Sequence, residues 1–311
     1  MLWSAHSMKL SKAALILCSL WPSQRSGSLL RLLIVFWCVF SEPTDLPAAV
    51  IAQWNFNSRP PDANTRTGSI SPSLGTGTAV VVGGVSQTFF TGSSSDPAGG
   101  NDNSGWSISS FPPQGTGNKR AGVQFNVSTL DKRNIMITWA QQVSPTASTY
   151  SRFQYSTNRF DFIDSGSPVG IRDADTFESQ TVTLVGIAGV NDNTNFAFRI
   201  VTEFQATAIG TTDSNYVTAS ISDYNTVGRL RFDMVTVSGE PISPTLSSSR
   251  YSTNGLFQFN ISGTSGFSCI AQASTNLIDW VSLKTNVSPF TFTDVNAVML
   301  PNRFYRAVYL P

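Results

Sequence analysis

The 311-residue chain has very few of the side chains that catalytic and metal sites commonly use. It contains one histidine, His6, and three cysteines, Cys18, Cys38 and Cys269. His6, Cys18 and Cys38 lie in an N-terminal segment that has the pattern of a removable leader, so the mature chain keeps only Cys269. Histidine bases, histidine metal ligands, an intrachain disulfide and a thiolate metal cluster are therefore excluded from the mature chain.

Charge is also scarce and balanced. Charged residues make up 13% of the chain, and 20 basic against 19 acidic side chains leave a net charge of +1. Such a balance gives no electrostatic reason to expect binding to nucleic acid or to an acidic membrane surface. Hydrophobic residues at 41%, including 21 phenylalanines, are ample for a packed core, and the length predicts two domains.

The first part of the chain, residues 1–52, reads as a secretory leader. Arg25 and Arg31 precede an apolar run from Leu32 to Phe40, and Val50 and Ala52 occupy the cleavage positions. The apolar run is well short of the roughly 20 residues that a membrane-spanning helix needs. We therefore favour a cleaved signal, and a secreted or cell-surface protein, over an uncleaved anchor. Because signals usually have about 15 to 30 residues, the true start codon is expected downstream of Met1.

After the leader, the sequence predicts an all-β protein. Short runs with period-two alternation are separated by Ser, Thr, Asn and Gly, and no apolar 3.6-residue period is sustained. The strands predicted for a first domain, residues 53–239, are 53–57, 79–85, 106–110, 122–128, 133–141, 150–156, 180–185, 196–204, 216–221 and 229–237. Their spacing is typical of a jelly-roll-like β-sandwich.

A Gly-Glu-Pro-Ile-Ser-Pro stretch predicts a domain boundary. Two prolines in six residues are typical of a short, semi-rigid linker, which we place at residues 240–244. The remaining residues, 245–311, contain five more short strands and form a second, small β domain near the lower size limit for a sandwich.

A short motif, Q-x-S-T-N-x-x-D-aromatic, occurs once in each domain, from Gln154 to Phe162 and from Gln272 to Trp280. Ser, Thr and Asn side chains bond to nearby backbone groups in turns, and the aromatic residue would cover the sheet as the chain returns. We interpret the motif as a hairpin turn, with a structural rather than a binding role.

Two resemblances extend this interpretation. Residues 257–308, with 273–277 (ASTNL), Trp280 and 303–307 (RFYRA), resemble the small immunoglobulin-like or fibronectin-like modules at the carboxyl end of secreted multi-module bacterial proteins. The first domain, through its opening Trp54-Asn55-Phe56-Asn57 and closing 231–239 (RFDMVTVSG), is similar to jelly-roll domains of the lectin-like and carbohydrate-binding kind. The first resemblance implies a spacer or attachment module outside the cell, and the second implies a jelly-roll β-sandwich fold without identifying a ligand.

A candidate ligand-binding face lies on the predicted strand 150–156. Tyr150, Arg152 and Gln154 share one face of that strand, and Arg199 and Glu203 share a face of another. An aromatic ring beside a guanidinium and an amide could bind a sugar, since the ring stacks on its apolar face and the donors select its hydroxyls. The same mixture also covers ordinary outward faces of sheets.

The best candidates for a glycosidase acid pair are Glu203 and Asp233, which both lie in predicted strands. Arg199 and Arg231 lie on the same predicted faces, so a cross-strand charge ladder on a solvated surface explains the set more simply. We therefore predict no catalytic residue.

Residues 91–105 are expected to form a surface loop that buries little. Asp96 and Asp102 in this loop carry oxygen atoms of the kind that calcium takes, so a structural calcium ion is the one cofactor considered, against a simple loop tip as the alternative. Cys269, next to Ile270, is expected to be a small buried hydrophobe.

The sequence thus favours an exported, non-catalytic binding protein whose partner is a polysaccharide or cell-surface glycan. The alternatives are a structural or adhesive surface protein with a protein partner, and a glycoside-cleaving enzyme. No nucleic-acid partner is expected, and membrane contact is expected only through an uncleaved leader.

Overall fold

The computed structural model describes residues 14–19, 48–96, 102–252, 256–264, 266–300 and 302–310. The predicted all-β class is confirmed, because strands dominate this part of the chain beside one five-residue helix, α1 (Gln205–Ile209), and a single 3-10 turn. The chain divides into two compact units: Ala49–Gly239, and Glu240–Pro311 together with residues before Ala49. No helix of the described residues is long and apolar enough to cross a membrane.

In chain order the strands are β1 (Ala14–Ser19), β2 (Ala49–Trp54), β3 (Leu74–Gly75), β4 (Thr78–Val82), β5 (Ser86–Thr91), β6 (Ser104–Ser109), β7 (Gly122–Asn126), β8 (Lys132–Val143), β9 (Tyr150–Ser156), β10 (Ile163–Asp164), β11 (Val169–Gly170), β12 (Glu178–Thr183), β13 (Ala197–Thr202), β14 (Leu230–Pro241), β15 (Thr245–Tyr251), β16 (Phe257–Ser262), β17 (Ser268–Ser274), β18 (Val281–Val287), β19 (Phe290–Asp294) and β20 (Asn302–Tyr309).

The first unit is built from two sheets, as a jelly-roll-like sandwich requires. One sheet runs β10-β9-β13-β7-β4, with β11 also pairing with β9. The other runs β12-β8-β14-β2-β3, with β6 and then β5 added along the first half of β14. β14 changes partner at Asp233 and Met234: residues before them pair with β6, and residues after them pair with β2. Met234 has a φ of 47°, which places a kink at this change.

Aromatic side chains from both sheets fill the core of the first unit. Trp54 and Trp106 each pack edge-on against Phe125, with ring centroids 5.0 and 6.0 Å apart. Phe125 in turn stacks on Phe198 at 4.9 Å. Trp139 is also buried in this core. The alternation of the strands aims these rings inward and leaves the polar positions outside.

The second unit consists of a four-stranded sheet, β1-β20-β17-β18, and a three-stranded sheet, β15-β16-β19. Phe257 and Phe259 of β16 pack against Tyr305 of β20, with ring centroids 5.0 and 5.1 Å apart. Cys269 is fully buried in this core, which confirms its predicted hydrophobic role, and burial raises the pKa of its thiol. The immunoglobulin-like character of this unit stays a prediction.

Several predicted boundaries differ from the structure. The strand predicted at 216–221 is wrong, since only an isolated bridge between Ser148 and Thr218 forms there. Two strands lie inside the predicted 1–52 leader: β1 pairs with β20, and β2 begins at Ala49. β14 continues through Pro241, two residues into the predicted linker 240–244. β1 is an apolar segment that the leader pattern covers, so no strand was predicted there.

Candidate functional site

The residues of β9 that were predicted to bind a ligand lie on one face of the six-stranded sheet. Arg199 of β13 lies directly between Gln154 of β9 and Gln124 of β7, and Val80 of β4 continues the same row. The pairing therefore brings Gln154 and Arg199 together. Tyr150 and Arg152 lie on the same face of β9, where Gly170 of β11 packs beside the Tyr150 ring.

Arg152 and Glu203 are not open to a ligand, because they bind each other. Arg152 Nε and Nη2 donate to the two carboxylate oxygens of Glu203 at 2.9 and 2.8 Å, and Lys119 Nζ lies 3.2 Å from Glu203 Oε1. Glu203 is completely buried and Arg152 nearly so. The predicted solvated ladder of Glu203 with Arg199 is therefore wrong. The ion pair of Arg152 and Glu203 is a buried structural contact beneath this face.

A second ion pair lies over the first. Lys119 Nζ contacts Asp164 Oδ2 at 2.5 Å, and Gln154 Nε2 donates to Asp164 Oδ1 at 2.9 Å. Partial burial alone would raise the pKa of Asp164, but these two hydrogen bonds and the nearby cations hold it below its ordinary value. Gln154, whose side chain faces outward, is almost fully covered as a result.

Arg199 is the centre of the part of this face that remains accessible. Its guanidinium carbon lies 3.6 Å from the centroid of the Phe162 ring, and its Nε donates to Gln124 Oε1 at 2.7 Å. Partial burial lowers the pKa of Arg199, yet a guanidinium stays charged in proteins. Gln124 Nε2 donates to Asn126, which donates to Thr78, so a fixed row of polar side chains crosses three strands.

Sequence reasoning missed Phe162 as a candidate site residue. It follows the predicted turn, which the structure confirms: Asn158 Oδ1 accepts the backbone N–H groups of Phe160 and Asp161, each at 2.9 Å. Asn158 Nδ2 also donates to Asp161 Oδ2 at 2.7 Å. This turn carries Phe162 back over the sheet, and the final aromatic of the repeated motif was the signal that could have identified it.

Asp233 is also buried, so its predicted place in a solvated ladder with Arg231 is wrong. Its two oxygens accept the backbone N–H groups of Ser93 at 2.6 Å and Met234 at 2.7 Å. Burial raises the pKa of Asp233 to about 7, and the neighbouring carboxyl of Asp96 acts in the same direction. Asp233 lies in the seven-stranded sheet and Glu203 follows a strand of the six-stranded sheet, so the two carboxyls do not share one surface.

Asp96 and Asp102 line a polar groove of about 450 Å³ in the first unit. Asp102 accepts the N–H groups of Ser58 and Asp62, and Asp96 accepts an Asn57 amide N–H at 2.7 Å. The other lining residues are Gln53, Asn55, Arg59, Pro61, Ser73 and Leu74. Burial raises the pKa of Asp96.

The prediction that residues 91–105 form a loop with few buried side chains is wrong for Asp96 and Asp102, because both are more than nine-tenths buried. Within the described residues, no group of three or more His, Cys, Asp or Glu side chains is placed to hold a metal ion. Residues 97–101 of the predicted loop lie outside the described residues. The calcium site at Asp96 and Asp102 therefore stays a prediction.

No protein-family model matches the chain, and no curated protein matches it either. Solved structures similar to parts of it include the CBM22-2 xylan-binding domain from Paenibacillus barcinonensis Xyn10C, with 11% identity, a TM-score of 0.31 and coverage of 52% of this chain and 91% of that one. The C-terminal family 22 carbohydrate-binding module of Clostridium thermocellum Xyn10B has 13% identity, a TM-score of 0.31 and coverage of 58% and 97%. The K1 cleaved adhesin domain of Lys-gingipain from Porphyromonas gingivalis W83 has 17% identity, a TM-score of 0.30 and coverage of 52% and 89%.

Proposed function

We propose that the first unit is a non-catalytic carbohydrate-binding domain and that it binds a glycan on the outer face of its six-stranded sheet. The observation that carries the proposal is the Phe162 ring, whose centroid lies 3.6 Å from Arg199 Cζ beside a hydrogen-bonded row of amides. An aromatic plane supplies the apolar surface on which a sugar ring stacks, and amide and guanidinium donors select its hydroxyls.

Preorganisation supports this choice of face. Arg199 Nε, Gln124 Nε2 and Asn126 Nδ2 each already donate one hydrogen bond to the next side chain, so their positions are fixed before a ligand arrives. Arg199 and Asn126 are only half-buried, so their remaining N–H groups can reach sugar oxygens, whereas the largely buried Gln124 fixes the row from below. A site whose polar groups are ordered in advance loses less conformational entropy on binding.

The contacts of the acidic residues Glu203 and Asp233 favour a binding role over a catalytic one. Glu203 is held by Arg152 and Lys119, and Asp233 is held by two backbone N–H groups in the other sheet. A glycosidase needs two carboxyl groups that flank one bond, roughly 5 to 10 Å apart. We further propose that the protein acts at or outside the cell surface, on the strength of its leader pattern.

Retention on insoluble xylan, cellulose and chitin tests the proposal, with Phe162→Ala as the variant and Phe160→Ala as its control. Phe160 is an equally large ring of the same turn, but it is 85% exposed and contacts no guanidinium in the described structure. We expect at least one polysaccharide to retain the protein, Phe162→Ala to weaken its binding about tenfold, and Phe160→Ala to leave it unchanged.

Failure of all three polysaccharides to retain the protein would overturn the proposal and favour the adhesive alternative with a protein partner. Equal retention of Phe162→Ala and the unsubstituted protein would remove this face as the site. Release of reducing sugar by the unsubstituted protein would instead support the enzymatic alternative.

A further inference from the structure

We propose that the second unit carries a second copy of the same binding platform, formed by Trp280, Arg306 and Gln272, so that one chain binds a polysaccharide at two points. This inference rests on the proposed function of the Phe162 face. It assigns a ligand-binding role to a unit that the sequence interpretation treats only as a spacer or attachment module.

The turns that carry the two rings have the same hydrogen bonds. Asn276 Oδ1 accepts the N–H groups of Ile278 at 2.9 Å and Asp279 at 2.8 Å, and Asn276 Nδ2 donates to Asp279 Oδ2 at 2.7 Å. These values match those of the Asn158 turn to within 0.1 Å. Residue Leu277 has a φ of 65°, against 71° at the equivalent Arg159. The motif therefore delivers its last residue to an equivalent place in each unit.

The rings meet equivalent partners. Trp280 lies over the guanidinium of Arg306, with 4.3 Å between Arg306 Cζ and the ring centroid. Arg306 pairs directly with Gln272 across β20 and β17, just as Arg199 pairs with Gln154 across β13 and β9. The acceptor of the arginine Nε differs between the units: Arg306 donates to Gln272 of the motif itself at 2.7 Å, whereas Arg199 donates to Gln124.

The chemistry of the second platform suits the same ligand class. Trp280 is only half-buried, whereas Trp54, Trp106 and Trp139 are at most 2% exposed in the core. Its indole N–H donates to the Leu277 carbonyl oxygen at 3.2 Å, which helps to fix the plane of the ring. Within the described residues neither Arg306 nor Arg199 is paired with a carboxylate, so each keeps terminal N–H donors for sugar oxygens.

Two platforms on one chain should raise the apparent affinity for a polymeric ligand, which a purely structural turn would not do. Once one platform has bound a polymer, the second binds at a high effective concentration, so the apparent affinity for the polymer exceeds that of either platform alone. A short oligosaccharide that fills one platform at a time shows no such gain.

Isothermal titration of the full chain with xylohexaose and cellohexaose counts the sites. We expect two equivalents per chain for the hexasaccharide that binds, and one equivalent for Trp280→Ala or for Phe162→Ala. Ile278→Ala is the matched control, because Ile278 is 80% exposed at the position equivalent to Phe160; it should keep two equivalents. On the matching insoluble polysaccharide, Trp280→Ala should lose about tenfold or more in apparent affinity.

Iodide quenching of tryptophan fluorescence gives a readout that survives if Trp280→Ala does not fold. In the unsubstituted chain and in Ile278→Ala, bound ligand should protect the fluorescence of Trp280 from quenching by iodide. This protected fluorescence should be absent from Trp280→Phe. One equivalent in the unsubstituted chain, or two in Trp280→Ala, would overturn the second platform while leaving the first intact. Absence of any hexasaccharide binding, together with no retention on polysaccharide, would overturn the proposed function itself.

Discussion

Arg152 and Glu203 join the middle of β9 to the end of β13 through two parallel hydrogen bonds of 2.9 and 2.8 Å. Both side chains lie beneath Lys119 and Asp164, which form an ion pair of their own. The outward face of the six-stranded sheet therefore has a charged but internally neutralised end, and an accessible end around Arg199 and Phe162.

Removing one partner of this ion pair should be costly. Glu203→Gln leaves Arg152 with a neutral partner in a buried place, so we expect a loss of about 3 kcal/mol in the free energy of unfolding, measured by urea denaturation. Asp223→Asn, at an exposed position, should change it by less than about 0.5 kcal/mol. A Glu203→Gln protein as stable as this control would show that the pair contributes little.

The carboxyl of Asp233 should make stability depend on pH. Its pKa is raised from 3.8 to about 7, so between these values the folded protein binds more protons than the unfolded chain. Stability from this group is full below about pH 4 and is lost as the pH rises through 7, an effect on the order of 4 kcal/mol. Asp233→Asn should flatten the fall in unfolding free energy between pH 5 and 8.

The measurement is urea unfolding across that pH range. Asp223→Asn, whose carboxyl is exposed, should keep the full slope of the unsubstituted protein. The same slope in Asp233→Asn would assign the pH dependence to another group, with the nearby Asp96 the first to examine, since burial raises its pKa too.

The alternation of side chains was enough to predict some strands correctly. β9 has the bounds predicted for it, and its inward Phe153 and outward Gln154 follow directly from period-two alternation. The same rule failed in β14, where Phe232 and Asp233 are both buried. The positive φ at Met234 interrupts the alternation, and a kink of this kind has no sequence signal comparable to glycine.

The sequence alone could not show which distant segments come into contact. It suggested Arg199 as the partner of Glu203, but the partners are Arg152 of β9 and Lys119 from the segment that precedes β7. The edge strands β5 and β15 were missed because their side chains are mostly exposed, so neither strand shows a clear apolar alternation. The repeated motif, in contrast, predicted its turns correctly, because they are closed by local side-chain hydrogen bonds.

The start of β2 sets a limit on where an exported chain can be cleaved. Ala49 and Val50 pair with Gly239 and Ser238, and the fully buried Ala52 pairs with Val237. Cleavage after Ala52 would remove these residues from the sheet, so we expect the mature N-terminus at or before Ala49, as determined by intact mass of the secreted protein. A chain expressed from Gln53 should be about 2 kcal/mol less stable than one expressed from Ala48. Equal stability of these two chains would favour the original prediction that the signal is cleaved after Ala52.

The twin turns should contribute equally to the stability of their units. Asn158 and Asn276 each accept two backbone N–H groups and donate one hydrogen bond to an aspartate. Asn158→Ala and Asn276→Ala should therefore each cost about 1 to 3 kcal/mol in unfolding free energy, since the turn N–H groups lose their acceptor. Tryptophan fluorescence can follow both units, because Trp54, Trp106 and Trp139 report on the first and Trp280 on the second.

Threonine provides the control within each motif. The side chains of Thr157 and Thr275 make no hydrogen bond in the described structure, so Thr157→Ala and Thr275→Ala should remain within about 0.5 kcal/mol of the unsubstituted protein. A large loss for Asn158→Ala but none for Asn276→Ala would mean that the second turn is held by its neighbours rather than by its asparagine. Equal losses would show that each asparagine holds its own turn, from which Phe162 and Trp280 lead into β10 and β18.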